Sequence, residues 1–437
     1  MKHYRIASII TAVFIVDYCM AEVPGNALQP AELRAAEAWL TESAGKITPA
    51  ESNILRKAQS TLLDNIVMDP AWKPYRGIEP SPAMYKGIWN WDAAFHAIGV
   101  SHWDASLARE QVAIIFEKQL KNGMLPDVIW EYGSTNGSIN YSNTKPPVIT
   151  WAVAVVDFRS PDITFLRRIY PKLVKLGQFW EKERGGERDG LFYYAGSDVG
   201  WDSGWDDSFR WDNGYRKPQT NSHRLWAIDL NCYMYMHYRS MAYVAERLAL
   251  TRDRQTWLKK AAALAQLINE KLWDEDAGLY VDRDRLTGKR GPVLSPAGFM
   301  PLFVHIAPSG HAAQCAKTAR ARETFYPGMP SAAYDTVEFD PIQMWRGPSW
   351  LNTSFFAIKG LQEHGYSDLA QTMRSTTLDW VSRNLPSIRE FYNSKTGEGL
   401  GAPNFGWSAV FAMSFIVDWN DDSLTWLFSE EKNNLKQ

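Results

Sequence analysis

Thirteen residues, DSGWDDSFRWDNG from Asp202 to Gly214, hold four aspartates, two tryptophans, a phenylalanine and an arginine. Aspartate and glycine suit a solvated turn, whereas tryptophan seeks burial. One chemistry asks for both. A carboxylic acid that must donate a proton near neutral pH needs apolar neighbours to keep it protonated. Asp206 fits best, because Trp205 precedes it and Phe209 and Trp211 follow closely. Asp207 is adjacent and on a turn points elsewhere, toward Arg210. The plainer reading is that Asp202, Asp206, Asp207 and Asp212 cap turns or ligate calcium, although their spacing does not fit an EF-hand loop.

A proton donor of this kind works with a second carboxylate that attacks, or activates water against, the anomeric carbon of a sugar. Glu390 is the best candidate for that role. It precedes Tyr392 in a glycine-rich stretch, REFYNSKTGEGLGAPNFGWS, in which Glu398 is its rival. Three further stretches mix tryptophan with charge: KGIWNWDAAFHAIGV from Lys86, NGMLPDVIW from Asn122 with TKPPVITWA after it, and MWRGPSWLNTSFFAIKGL from Met344. Sugars have apolar C–H faces that lie on aromatic rings. Trp89, Trp91, Trp345, Trp350 and Trp407 are each such a platform or plain core. Asp92 and Arg346 have the groups to bond hydroxyls in pairs, or to form a structural ion pair.

The elements that must position these residues read as helices. Apolar residues recur at three- and four-residue steps over Phe165–Trp180, Trp257–Leu272, Ala108–Leu120, Tyr238–Leu248 and Leu351–Leu361, and strand alternation is scarce. Long connections, over roughly residues 121–147, 184–222, 275–297, 323–347 and 384–405, alternate with short ones. Loops of that length in a compact domain are usually functional. Stacked helical hairpins give this rhythm when the long connections emerge at one end. The expected architecture is an all-α (α/α)6 barrel, a single domain over residues 28–430, with long loops forming a pocket at one end. An open solenoid of hairpins is the alternative, but no sequence repeat supports it.

Composition narrows the partners. A net charge of −2 gives no footprint for nucleic acid or an anionic membrane. Twenty tryptophans in 437 residues favour a ligand with flat, weakly polar faces. Residues 1–21 read as an export signal. Lys2 and Arg5 precede an apolar run from Ile6 to Val16, too short to span a bilayer, and Cys19 and Ala21 sit at −3 and −1 of a cleavage site. An exported protein, periplasmic or secreted and free of the membrane once cleaved, follows. Cys232 and Cys315 then remain, which is no disulfide framework. The eight histidines are scattered, and no CxxC or HExxH spacing is present. No metal and no cofactor is expected.

These segments resemble a known family. DSGWDDSFRWD is similar to the ESGWDxSxRW signature of inverting α-glycosidases of glycoside hydrolase family 63 and of their trehalase relatives in family 37. GIWNWDAAFHA resembles their first-subsite motif, MWRGPSW their YWRGPxW motif, and EFYNSKTGEGLGAPNFGWS the stretch that carries their base. The four occur in the family's order across roughly residues 85–410. The resemblance implies an (α/α)6 barrel, Asp206 as general acid and Glu390 as general base, with inversion. It places Trp89, Asp92, Gly204, Trp205, Arg210, Trp345, Arg346 and Trp407 on substrate-binding positions. Three residues depart from the pattern: Asp202 stands for the leading Glu, Phe209 for the usual Pro, and Met344 for the Tyr before Trp-Arg-Gly. In size the chain resembles compact members that hydrolyse mannosylglycerate or glucosylglycerate, which are generally intracellular. An export signal points instead to oligosaccharides. The expected substrate is a small α-glucoside or α-mannoside with its aglycone open. Competing readings are a trehalase, a polysaccharide lyase using His96 or His223, and a non-catalytic sugar-binding protein.

Overall fold

The computed structural model describes residues 29–216 and 225–429. The export signal expected over residues 1–21 lies outside them. Among the described residues helices dominate, joined by five small antiparallel sheets of two or three strands. All five expected helical segments are present. Phe165–Trp180 lies within the helix Ile163–Glu183, whose N-cap Asp162 accepts bonds from Thr164 N and Phe165 N. The expected Ala108–Leu120 is Ala105–Glu117, capped by Asp104, and Tyr238–Leu248 is the end of a longer helix, Ile228–Arg247.

Two kinds of helix sort into two shells. Asn90–Val100 and Gly406–Val417 are buried almost all round, as is most of Ile149–Arg159, Ile228–Arg247 and Leu351–Glu363. By contrast, Thr251–Lys271 buries only Trp257, Ala261, Leu264 and Ile268, a single stripe. The buried helices, with the short Met300–Phe303, touch one another in a closed circuit. Asn90–Val100 packs on Ile149–Arg159, which packs on Ile228–Arg247, and so on through Met300–Phe303, Leu351–Glu363 and Gly406–Val417 back to Asn90–Val100. Striped helices such as Ala105–Glu117, Thr251–Lys271, Ser367–Arg383 and Pro49–Asp64 pack against them from outside.

Each expected long connection leads into the N-terminal end of one inner segment. The hairpin Arg389–Tyr392/Gly399–Pro403 leads to Gly406–Val417, and the strand Gly87–Trp89, outside those five connections, likewise runs into Asn90–Val100. Residues separated widely in sequence therefore meet over the N-termini of the inner helices, where the helix dipoles favour carboxylates.

Candidate active site

The acid loop forms because a short helix, Val199–Ser203, is stopped at Gly204 in the left-handed region, φ +79°. Glycine is required there twice over, because a Cβ would also lie 2.4 Å from the Trp91 ring. The chain then turns sharply through Trp205 and Asp206. Trp205 is buried, and its carbonyl accepts the Trp211 indole N–H at 2.9 Å. Ser208 caps the following turn at Arg210 N.

The base is placed by a bulge. The register of Arg389–Tyr392 against Gly399–Pro403 slips between Arg389 and Phe391, which re-aims the intervening Glu390. Its Oε2 accepts Ala402 N–H at 2.8 Å, and Tyr85 Oη lies 3.1 Å from Oε1 and 3.3 Å from Oε2. Gly401 closes on the same carboxylate.

Asp206 and Glu390 open into one pocket of about 450 Å³, its mouth included. Trp89, Trp91, Trp345, Trp350, Phe405 and Trp407 supply most of its apolar wall. Burial raises Asp206 to about 6; the Lys145 ammonium pulls against this, and the charges of Asp127 and Asp207 add to it. Burial likewise raises Glu390 to about 7, opposed by the Ala402 and Tyr85 hydrogen bonds and assisted by Asp206. Burial and the Glu390 charge push the Tyr85 phenol well up, so it stays an O–H donor. Asp92 also lines the pocket. Burial drives its carboxyl well above the carboxylate range, against Lys145 and with Glu390 and Asp127, so it favours a neutral form that both donates to and accepts from a hydroxyl.

Of the residues expected to touch substrate, Trp89, Asp92, Gly204, Trp345 and Trp407 do line the pocket. Trp205, Arg210 and Arg346 do not. Trp205 is turned back to stack on Trp345, ring centroids 4.6 Å apart. Arg210 is fully buried, and four of its five guanidinium N–H groups are held by Asp229 at 2.6 and 2.9 Å and by Asp282 at 2.8 and 2.9 Å. Arg346 pairs with Asp212 at 2.9 Å and lies over the Phe209 ring at 4.2 Å. Asp207 does not reach Arg210 as expected; it accepts Trp345 N–H at 2.9 Å and the Gln343 amide at 3.0 Å. Glu398 is exposed, outside the pocket.

The three departures from the family pattern have clear surroundings. Asp202 is fully buried and is not part of the pocket lining; it accepts Thr144 N–H at 2.8 Å and Ala195 N–H at 3.0 Å. Gly196 lets the chain come close enough for the shorter side chain, since a Cβ there would lie 2.7 Å from Asp202 Oδ1. Phe209 carries Arg346, and Met344 lines the pocket at a positive φ of 23°.

Two functional residues escaped the sequence reading. Lys145, in the stretch TKPPVITWA, is buried in the pocket wall with its ammonium 2.9 Å from Asp127 and bonded to the Trp201 carbonyl. Burial alone would lower its pKa; Asp127 and Asp206 more than reverse this. Tyr85 directly precedes the first motif, and only its meeting with Glu390 reveals it. A lysine between aromatic-rich segments was the one available signal for Lys145.

Comparison with known proteins agrees with this geometry. Residues 85–408 match the family described as the mannosylglycerate hydrolase MGH1-like glycoside hydrolase domain. Mannosylglycerate hydrolase MGH1 of Selaginella moellendorffii is 24% identical over 403 residues, covering 77% of this chain and 81% of its own. Mannosylglycerate hydrolase of Thermus thermophilus is 27% identical over 399 residues, covering 76% and 95%. The crystal structure of a Thermus thermophilus family 63 mannosylglycerate hydrolase with Tris and D-glycerate superposes at a TM-score of 0.71 and 23% identity, covering 82% of this chain and 99% of that one. With the match spanning both carboxylates and every tryptophan of the pocket, the chain belongs to the mannosylglycerate hydrolase MGH1-like glycoside hydrolases.

Proposed function

We propose that this chain cleaves a small α-mannoside or α-glucoside with inversion, Asp206 acting as acid and Glu390 as base, on an (α/α)6 barrel. Hydrolysis of an α-glycoside is the reaction of the family. One observation supports the assignment of roles most strongly. Two carboxyl groups from distant segments share one aromatic-walled pocket, and both are raised by burial toward neutral pH. The closed circuit of buried helices with striped helices outside supports the barrel.

In this mechanism the sugar lies on the tryptophan wall, and Asp92 bonds its hydroxyls. Neutral Asp206 gives its proton to the glycosidic oxygen as the bond to the anomeric carbon breaks. Glu390, ionised and oriented by Ala402 N–H and Tyr85 Oη, removes a proton from water. That water's oxygen bonds to the opposite face of the anomeric carbon. The free sugar leaves as the β-anomer and the aglycone as its alcohol. Glycosylglycerates head the list of substrates, because relatives covering 76% and 77% of the chain bear the name mannosylglycerate hydrolase. Residues 1–21 favour action outside the cytoplasm. The test is hydrolysis of mannosylglycerate, glucosylglycerate, trehalose and neutral α-linked disaccharides by wild type, Asp206→Asn and Glu390→Gln. Turnover of a glycosylglycerate or α-disaccharide that both variants lose supports the proposal. Turnover of trehalose alone makes the protein a trehalase, and turnover retained in Asp206→Asn removes the acid.

A further inference from the structure

Inversion requires two carboxyls held roughly 6.5–9.5 Å apart, with space for a water. Some part of the fold must hold that gap. Trp205 directly precedes Asp206, and Phe391 directly follows Glu390. Between these two rings lie two more. Trp205 and Trp345 stack at 4.6 Å and 26°, Trp345 and Trp350 at 3.9 Å and 2°, and Trp350 and Phe391 at 4.6 Å and 30°. All four rings are buried.

The segment carrying the two middle rings is tied at both ends. Asp207, the residue after the acid, holds Gln343 and Trp345 N–H with its two oxygens. Ser349 exchanges both backbone bonds with Tyr392 on the base strand, at 2.8 and 3.0 Å. Inside the segment, the Trp350 indole N–H bonds the Met344 carbonyl at 2.9 Å. The acid end is anchored further by Arg210, whose guanidinium lies 4.8 Å over the Trp205 ring and is fixed by Asp229 and Asp282.

Given the roles assigned above to Asp206 and Glu390, we propose that Gln343–Trp350 is a strut that sets their separation. Asp207 is then a positioning residue at its acid end, and Trp350, whose ring also lines the pocket, joins it to the base end. Rings in van der Waals contact resist compression, and hydrogen bonds at each end resist extension. The strut acts through placement and does not touch the reacting atoms at its Asp207 end.

The test compares two substrates in the full-length protein: mannosylglycerate, whose leaving group needs a proton, and α-mannosyl fluoride, whose leaving group does not. The gluco pair is run alongside. Loosening the acid end with Asp207→Ala should lower kcat on the glycoside by about tenfold or more, with KM little changed and a much smaller loss on the fluoride. Trp350→Phe, at the base end, should lower both, because water must still be aimed. Equal losses on both substrates in Asp207→Ala, tracking the folded fraction seen in thermal melts, would show a merely structural residue and overturn the strut. So would kcat within twofold of wild type in both variants. If Asp206→Asn retains glycoside activity, the assignment of acid and base fails and the strut fails with it.

Discussion

Gly401 lies at φ +67°, and a Cβ built there would sit 2.5 Å from Glu390 Oε2, 2.6 Å from the Phe391 ring and 2.8 Å from Glu390 Cβ. Ordinary contact begins at 3.4 Å, so Gly401→Ala forces the carboxylate or the hairpin to move by about 0.9 Å. The carboxylate is the softer of the two, and moving it breaks the 2.8 Å bond from Ala402 N–H. A displacement of about 1 Å in a catalytic group costs about 100-fold in rate. The left-handed backbone adds a stability loss of about 1–2 kcal/mol, whatever the crowding. Gly288→Ala separates the two effects, because Gly288 has φ +69° and nothing within 4 Å of a built Cβ. Steady-state kinetics and thermal melts on both variants make the assay. The expected result is that both melt below wild type, Gly401→Ala further because of its added crowding, with kcat falling only in Gly401→Ala. Refutation comes from a Gly401→Ala enzyme within about threefold of wild type while folded, since Glu390 placement would then not control the rate.

Further outcomes follow from the same geometry. The pH profile of kcat/KM should be a bell with its maximum between about 6 and about 7, because Asp206 and Glu390 are raised to those values. A profile flat from pH 5 to pH 9 would contradict both shifts. Tyr85→Phe removes a hydrogen bond that favours ionised Glu390, so the base pKa should rise. The limb of the profile that reports Glu390 should move up; an unmoved profile would show that the phenol does not act on the base. Raised carboxyls bind protons more tightly in the folded state. Their stabilising contribution is therefore present below about pH 4 and is lost as pH rises through about 6 to 7. Asp206→Asn should accordingly melt higher than wild type at about pH 8 while losing activity, and a lower melting point would argue against the burial of that charge. Arg210→Met leaves Asp229 and Asp282 buried without their partner, a loss of about 3–5 kcal/mol that chemical denaturation would register.

Much of this site was legible because local pattern carries it. Phe165–Trp180 showed its helix through a one-sided stripe, and Asp206 stood out because aromatic residues flank it in sequence. The start of Ile228–Arg247 was not legible, because Ile228–Met236 is buried on every side and so has no polar period to read. The strands were missed because most are only two or three residues long, too short for alternation. Roles that depend on distant partners were also hidden. Tyr85 meets Glu390 across 305 positions, and Asp207 meets Trp345 across 138. Arg210 shares the motif with the acid and Arg346 sits in MWRGPSW, yet their guanidinium groups are claimed by Asp229, Asp282 and Asp212, choices made by packing rather than by neighbours in sequence.

The central claim is that Asp206 and Glu390 act on opposite faces of one anomeric carbon. Proton NMR during the first minutes of mannosylglycerate or glucosylglycerate hydrolysis tests it directly. The β-anomer should appear first, with the α-anomer growing in later at the rate of mutarotation. If the α-anomer appears first, the enzyme retains configuration, and Glu390 is not a base acting through water.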